Sequence, residues 1–161
     1  MTRIKVPPET SCFCFHNANP KGKKTGDCSI RAISTATGKT WDEVLDGLVK
    51  LAHKYKQMVD SSELFSKYLK QCGFVRVKQP KHENGKKFTG KEFCSLLIRS
   101  RMTMPVVATI GSHHVTAFYN FGSGDHISYK ISDIWDCSGD CVGMVFIHEN
   151  DMEIWEHATV I

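Results

Sequence analysis

Gly26-Asp27-Cys28-Ser29-Ile30-Arg31-Ala32-Ile33 decides how the chain is read. The glycine permits a tight entry, and the aspartate is placed to cap the free N–H groups of a helix beginning near Cys28. Small and apolar residues continue through Ile33 and Ala36, and Gly38 supplies a stop. This composition predicts a buried helix with Arg31 reaching out at one edge. A thiol in the first turn of a helix meets unsatisfied N–H groups with partial positive charge, which favour its thiolate. Asp27 opposes that effect unless its carboxylate is tied up as the cap.

Downstream, Thr40-Trp41-Asp42-Glu43 forms a capping box that opens a second helix carrying Trp41, Val44, Leu45, Leu48 and Leu51. Ser61 or Ser62 caps a third, with Leu64, Phe65, Tyr68 and Leu69, stopped by Gly73. Phe74 to Val77 alternates like a strand, and residues 78–88 form a polar connection. Thr89-Gly90-Lys91-Glu92 is a second capping box, before Phe93, Leu96, Leu97 and Ile98. Beyond Arg101 the pattern changes to strands: Pro105 to Ile110, His114 to Tyr119, Ile127 to Ile134 and Val142 to Ile147. Upstream, residues 1–26 read as a loop-rich segment, with Pro7-Pro8 and Asn19-Pro20. Helices first and strands later predict an α+β fold with a mostly antiparallel sheet, in one domain over 1–161.

A thiolate nucleophile needs a base, and the base needs an orienting partner. His114 opens one predicted strand and Asp133 closes the next. The turn at Gly122-Ser123-Gly124 brings the start of the first beside the end of the second. His113 competes with His114, but successive strand residues point to opposite faces, so one of them faces Cys28. Asp136 is the alternative orienting acid, or else caps the turn before Ser138-Gly139. Trp135 would share the face of Asp133 and cover the His–Asp pair. The Cys28 N–H is a candidate donor to an oxyanion, and Asn19 or Asn17 could fold back as a second.

Nucleophile at a helix start, then His, then Asp on the neighbouring strand is the order of a papain-like site. Gly26 to Ile33 resembles the nucleophile helix of papain-like cysteine peptidases. It is similar to the compact ones, the ovarian-tumour-type deubiquitinases and the double-glycine peptidases that process bacteriocins. The ordered set Asn17 to Pro20, Gly26 to Cys28, Trp41 to Glu43, His114-Val115 and Asp133 to Asp136 resembles a family of small phage-encoded cysteine peptidases. The resemblance covers residues 17–136. It implies a papain-like fold, a Cys28–His114–Asp133 triad, a protein or peptide substrate, and action in the cytoplasm, that of the host if the chain is phage-encoded. It implies no cofactor. A catalytically silent binding or inhibitor protein on the same fold is the alternative, as is transglutaminase-like acyl transfer, which uses the same triad.

Composition narrows the rest. The chain has 161 residues, 41% hydrophobic and 24% charged, which excludes disordered and collagen-like classes. No apolar run approaches the roughly 18 residues of a membrane span, and Met1 to Pro8 lacks the apolar core of a signal peptide. The net charge of +4 is a mild excess, partly in Lys21 to Lys24 and Lys86-Lys87, and does not point to nucleic acid. Seven cysteines cannot all pair within one chain, so free thiols in a reducing compartment are expected. Cys12, Cys14 and His16, completed by Cys137 or Cys141, form a possible zinc set. The spacing does not match the usual Cys-x-x-Cys knuckle, so no metal is assigned. The alternative for Cys12 to His16 is a strand burying Phe13 and Phe15.

Overall fold

A computed structural model describes residues 5–158. Residues 1–4, the beginning of the stretch read as lacking a signal peptide, lie outside them. The element order is β1 (Phe13–Phe15), α1 (Cys28–Thr37), α2 (Trp41–Tyr55), α3 (Ser62–Gln71), β2 (Phe74–Val77), α4 (Gly90–Arg99), β3 (Val106–Ile110), β4 (His114–Asn120), β5 (Tyr129–Asp133), β6 (Val142–His148) and α5 (Met152–Ala158), with a 3-10 turn at Glu149–Asp151 before α5. The fold is α+β. Six strands form one mixed sheet in the order β1-β5-β4-β3-β6-β2. β1 runs parallel to β5, and the other neighbouring pairs are antiparallel.

Local chemistry sets the helix starts. Thr40 and Thr89 each accept from the N–H three residues on, while Glu43 and Glu92 reach back to the cap N–H. Ser61, rather than Ser62, caps α3 by accepting from the Leu64 N–H. Gly38 ends α1 with φ +72°, a left-handed conformation that suits glycine.

Alternation along the strands divides the core into two layers. Val107, Ala117 and Phe146 pack against Ile33, Val44, Leu48, Phe65 and Leu69 of α1, α2 and α3. Val106, Ala108, Phe118 and Ile147 pack against Phe93 and Leu97 of α4 and Trp155 of α5. Neighbouring strand residues serve opposite layers, so helices cover the sheet on both sides. Each large apolar side chain removed from water in these layers contributes about 1.5–3 kcal/mol.

Three features depart from the sequence reading. Cys12 to His16 lies inside the segment read as loop-rich, and the alternative reading of it as a strand holds: β1 forms there, with Phe13 fully buried and Phe15 partly buried. Residues 149–158, read as neither helix nor strand, form the 3-10 turn and α5. β5 stops at Asp133 rather than running on through Ile134, because the Ile134 N–H donates to the Asp133 side chain at 2.7 Å and leaves the ladder. No helix among the described residues is long and apolar enough to cross a membrane.

Candidate active site

Cys28 is the first residue of α1, so its N–H is one of the donors that helix geometry leaves without an intrahelical acceptor. It lies in a cleft of about 620 Å³ whose walls include Phe65 of α3, Val115 of β4, Met144 of β6 and the β3–β4 turn. The turn is short: Ile110 pairs directly with His114, leaving Gly111, Ser112 and His113 to reverse the chain. His113 is exposed in that turn, and His114 takes the first position of β4.

The His114 ring sits between three groups. Its Nε2 lies 2.6 Å from Asp133 Oδ2. The Cys28 and Cys137 thiols stand near enough to the ring to raise its basicity. With Nε2 turned to Asp133, Nδ1 is the nitrogen left for Cys28. Asp133 is 4% exposed and fully engaged. Oδ2 also accepts from the Thr116 hydroxyl at 2.7 Å, Oδ1 accepts from Ile134 N–H at 2.7 Å, and the Arg31 guanidinium stands 3.7 Å from Oδ1. Four fixed contacts allow this carboxylate one orientation, which in turn fixes the ring.

The charges follow from these contacts. Burial pushes the Cys28 thiol up, but the His114 hydrogen bond, a hydrogen bond to the Val115 backbone and the charges of His114 and Arg31 together hold it below its ordinary value. For His114, burial opposes the imidazolium, yet the hydrogen bonds to Asp133, Cys137 and Cys28 push it up to about 11. The contacts therefore favour thiolate on Cys28 and imidazolium on His114 relative to the free side chains. Cys137 goes the other way: burial raises its thiol, which stays protonated.

Behind Cys28, Asp27 does not cap α1; its side chain makes no hydrogen bond to the helix N–H groups. Arg31, one turn along, forms a close ion pair with it instead of reaching out to solvent, and is only 5% exposed. The other Asp27 oxygen accepts from Trp41 Nε1 at 2.8 Å and Asn19 Nδ2 at 3.0 Å. A buried guanidinium offers a stronger partner than backbone N–H groups, so the carboxylate turns inward. The first turn of α1 stays open to the cleft as a result. Asn19 is committed to this network, with its carbonyl accepting from Lys21 N–H at 3.0 Å. Asn17 caps the same loop, accepting from Asn19 N–H at 3.0 Å.

No family model, curated protein or solved structure matches the chain. The geometry alone carries the functional argument.

Asp136 is exposed and accepts from the Ser138 N–H at 3.0 Å, the turn-capping role. Asp136→Ala is expected to lower stability by no more than about 1 kcal/mol in urea denaturation. The iodoacetamide labelling rate of Cys28 should stay unchanged, and a tenfold fall in that rate would give the orienting role to Asp136. Trp135, 41% exposed, lies over the His114 ring with 4.8 Å between centroids and shields one side of the pair from water. Cys12, Cys14 and His16 do not gather with Cys137 or Cys141: among the described residues, the three-ligand group is His114, Asp133 and Cys137. The sequence reading did not place Cys137 beside the base. It falls in the irregular stretch after β5, where neither periodicity nor spacing marks it. Its one cue is a lone apolar residue after the exposed Trp135-Asp136 pair.

Proposed function

We propose that the chain is a papain-like thiol hydrolase that cleaves an amide, peptide or isopeptide bond. The carrying observation is the His114 ring, whose Nε2 lies 2.6 Å from Asp133 Oδ2 and which stands beside the Cys28 thiol and lowers it. The Cys28 thiolate attacks the substrate carbonyl, and negative charge moves to the carbonyl oxygen near the open N–H groups of the first turn of α1. Collapse expels the amine, which takes the proton from His114 Nδ1 as the C–N bond breaks. A thioester remains on Cys28. His114, now neutral, takes a proton from water, whose oxygen attacks the thioester. The acid product leaves, and thiolate and imidazolium are restored. Asp133 holds one tautomer and one ring orientation throughout, and stabilises the imidazolium.

A protein or peptide suits the cleft, where Phe65, Val115 and Met144 give apolar contact beside Cys28 and Asp60 adds a negative charge. All seven cysteines are free, which supports a reducing, cytoplasmic setting.

The test is competitive labelling with limiting iodoacetamide at neutral pH, read cysteine by cysteine by mass spectrometry. Cys28 is expected to alkylate at least about ten times faster than the exposed Cys141, whose thiol lacks such partners. Equal rates would remove the activated thiolate and the reading with it.

A further inference from the structure

Cys137 has no part in the cycle above, yet it is 1% exposed and points at its base. Its sulfur, a His114 ring nitrogen and an Asp133 oxygen all lie within 4.8 Å of one another. The three come from the start of β4, the end of β5 and the loop that follows, and meet in one buried corner. Sulfur, imidazole and carboxylate together are a ligand set for a borderline, thiophilic divalent cation such as Zn²⁺. A tetrahedral ion with bonds of about 2.0–2.3 Å holds its ligands about 3–4 Å apart. Small side-chain movements therefore close the cluster around one ion, leaving one position for water.

We propose that His114 Nε2, Asp133 Oδ2 and Cys137 Sγ form a binding site for Zn²⁺ or a similar thiophilic divalent cation. Binding displaces two protons, one from Nε2 and one from the Cys137 thiol, and both go to solvent. The charge balances. Before binding, imidazolium and carboxylate sum to zero; afterwards, a doubly charged ion faces one thiolate, one carboxylate and a neutral ring. Arg31 faces the other Asp133 oxygen and is paired with Asp27, so on Oδ2 the ion takes the place of the His114 N–H while the Thr116 hydroxyl stays as the second partner.

An ion on Nε2 and the Nε2–Asp133 hydrogen bond exclude one another. With the ion in place, passing the Nδ1 proton to a leaving amine would create an imidazolate rather than a neutral ring. Occupancy should therefore compete with turnover. That consequence rests on the thiol-hydrolase reading; the site does not.

Cobalt(II) is the probe, because a cobalt–thiolate bond gives a charge-transfer absorption in the near ultraviolet. The full chain is titrated with Co²⁺ as wild type, Cys28→Ser, Cys137→Ser and Cys137→Ala, each checked for folding by circular dichroism. Wild type and Cys28→Ser are expected to show the band, which Zn²⁺ should abolish by displacement. Both Cys137 variants should lose it. Apparent affinity should rise with pH as the two protons become easier to remove.

A band kept in both Cys137 variants and lost in Cys28→Ser would overturn the site, since the ion would then bridge Cys28 and His114. No band in the wild type would overturn it as well. If the Cys137 variants do not fold, wild type against Cys28→Ser still decides, because loss of the band in Cys28→Ser removes Cys137 as the thiolate ligand. Metal-free iodoacetamide labelling of Cys28 is run alongside. Its failure would sink the hydrolase reading while leaving the cobalt result to judge the site.

Discussion

His114→Ala is expected to slow iodoacetamide labelling of Cys28 at neutral pH by roughly tenfold to thirtyfold. An ordinary thiol is only a few per cent thiolate at pH 7, whereas the His114 hydrogen bond and charge hold the Cys28 thiol below its usual value. Removing the ring leaves burial, which works the other way, and the lesser contributions of Val115 and Arg31. The pH profile separates this cause from a general loss of structure. In the wild type, labelling should rise as pH climbs through the lowered Cys28 value, with the imidazolium persisting until about pH 11. In the variant, the rise should move to the ordinary thiol range near 8.5 or above. Asp133→Asn should move the profile in the same direction by less, since it loosens the ring without deleting it. A His114→Ala profile that overlays the wild type would show that the imidazole does not activate Cys28.

Arg31→Met should cost about 3–5 kcal/mol of folding stability, the largest effect expected from one substitution away from the reacting atoms. Arg31 is buried and ties Asp27, before the nucleophile, to Asp133, at the end of β5. Without it, Asp27 keeps only neutral donors, Trp41 and Asn19, inside the protein. A loss of that size is a large part of the 5–15 kcal/mol that holds a typical domain folded. Urea denaturation measures it. Lys39→Met, exposed just beyond the C-terminal end of α1, should stay within about 0.5 kcal/mol and serves as control. Combining Arg31→Met with Asp27→Asn should be less damaging than the sum of the two, because the second change removes the stranded charge. Strict additivity would mean that Arg31 acts by packing alone.

What could be read without coordinates was local. Thr40 with Glu43, Thr89 with Glu92, and Gly38 lie within a few residues of what they control, so spacing identifies them. The placement of His114 rather than His113 against Asp133, and of Asp136 as turn cap, has the same origin: each depends on where one strand starts or stops. The inward turn of Arg31 did not follow, because a charged residue on a small-residue helix finds its partner through the fold. Nor did the release of Asp27 from capping, which needs Arg31, Trp41 and Asn19 to converge from three elements. Cys137 needed the path of the chain after β5, which the Asp133 side chain sets by taking the Ile134 N–H. The short β1 depends on β5, 118 residues away in register at Phe13 and Ile131, and three residues carry little periodicity of their own.

The strand order has a consequence for how the protein is made. β6, at Val142–His148, lies between β3 and β2, and β1 can pair only with β5. A growing chain emerges N-terminus first, so Cys28 and its helix leave the ribosome long before His114, Asp133 and the strand that joins the two parts of the sheet. Until then the thiol has neither base nor orienting acid and behaves as an ordinary cysteine. Assembly of the candidate site is thus deferred until β4 and β5 have been made, well after α1. A nascent chain halted before residue 142 should carry a Cys28 that labels with iodoacetamide at the rate of an ordinary thiol.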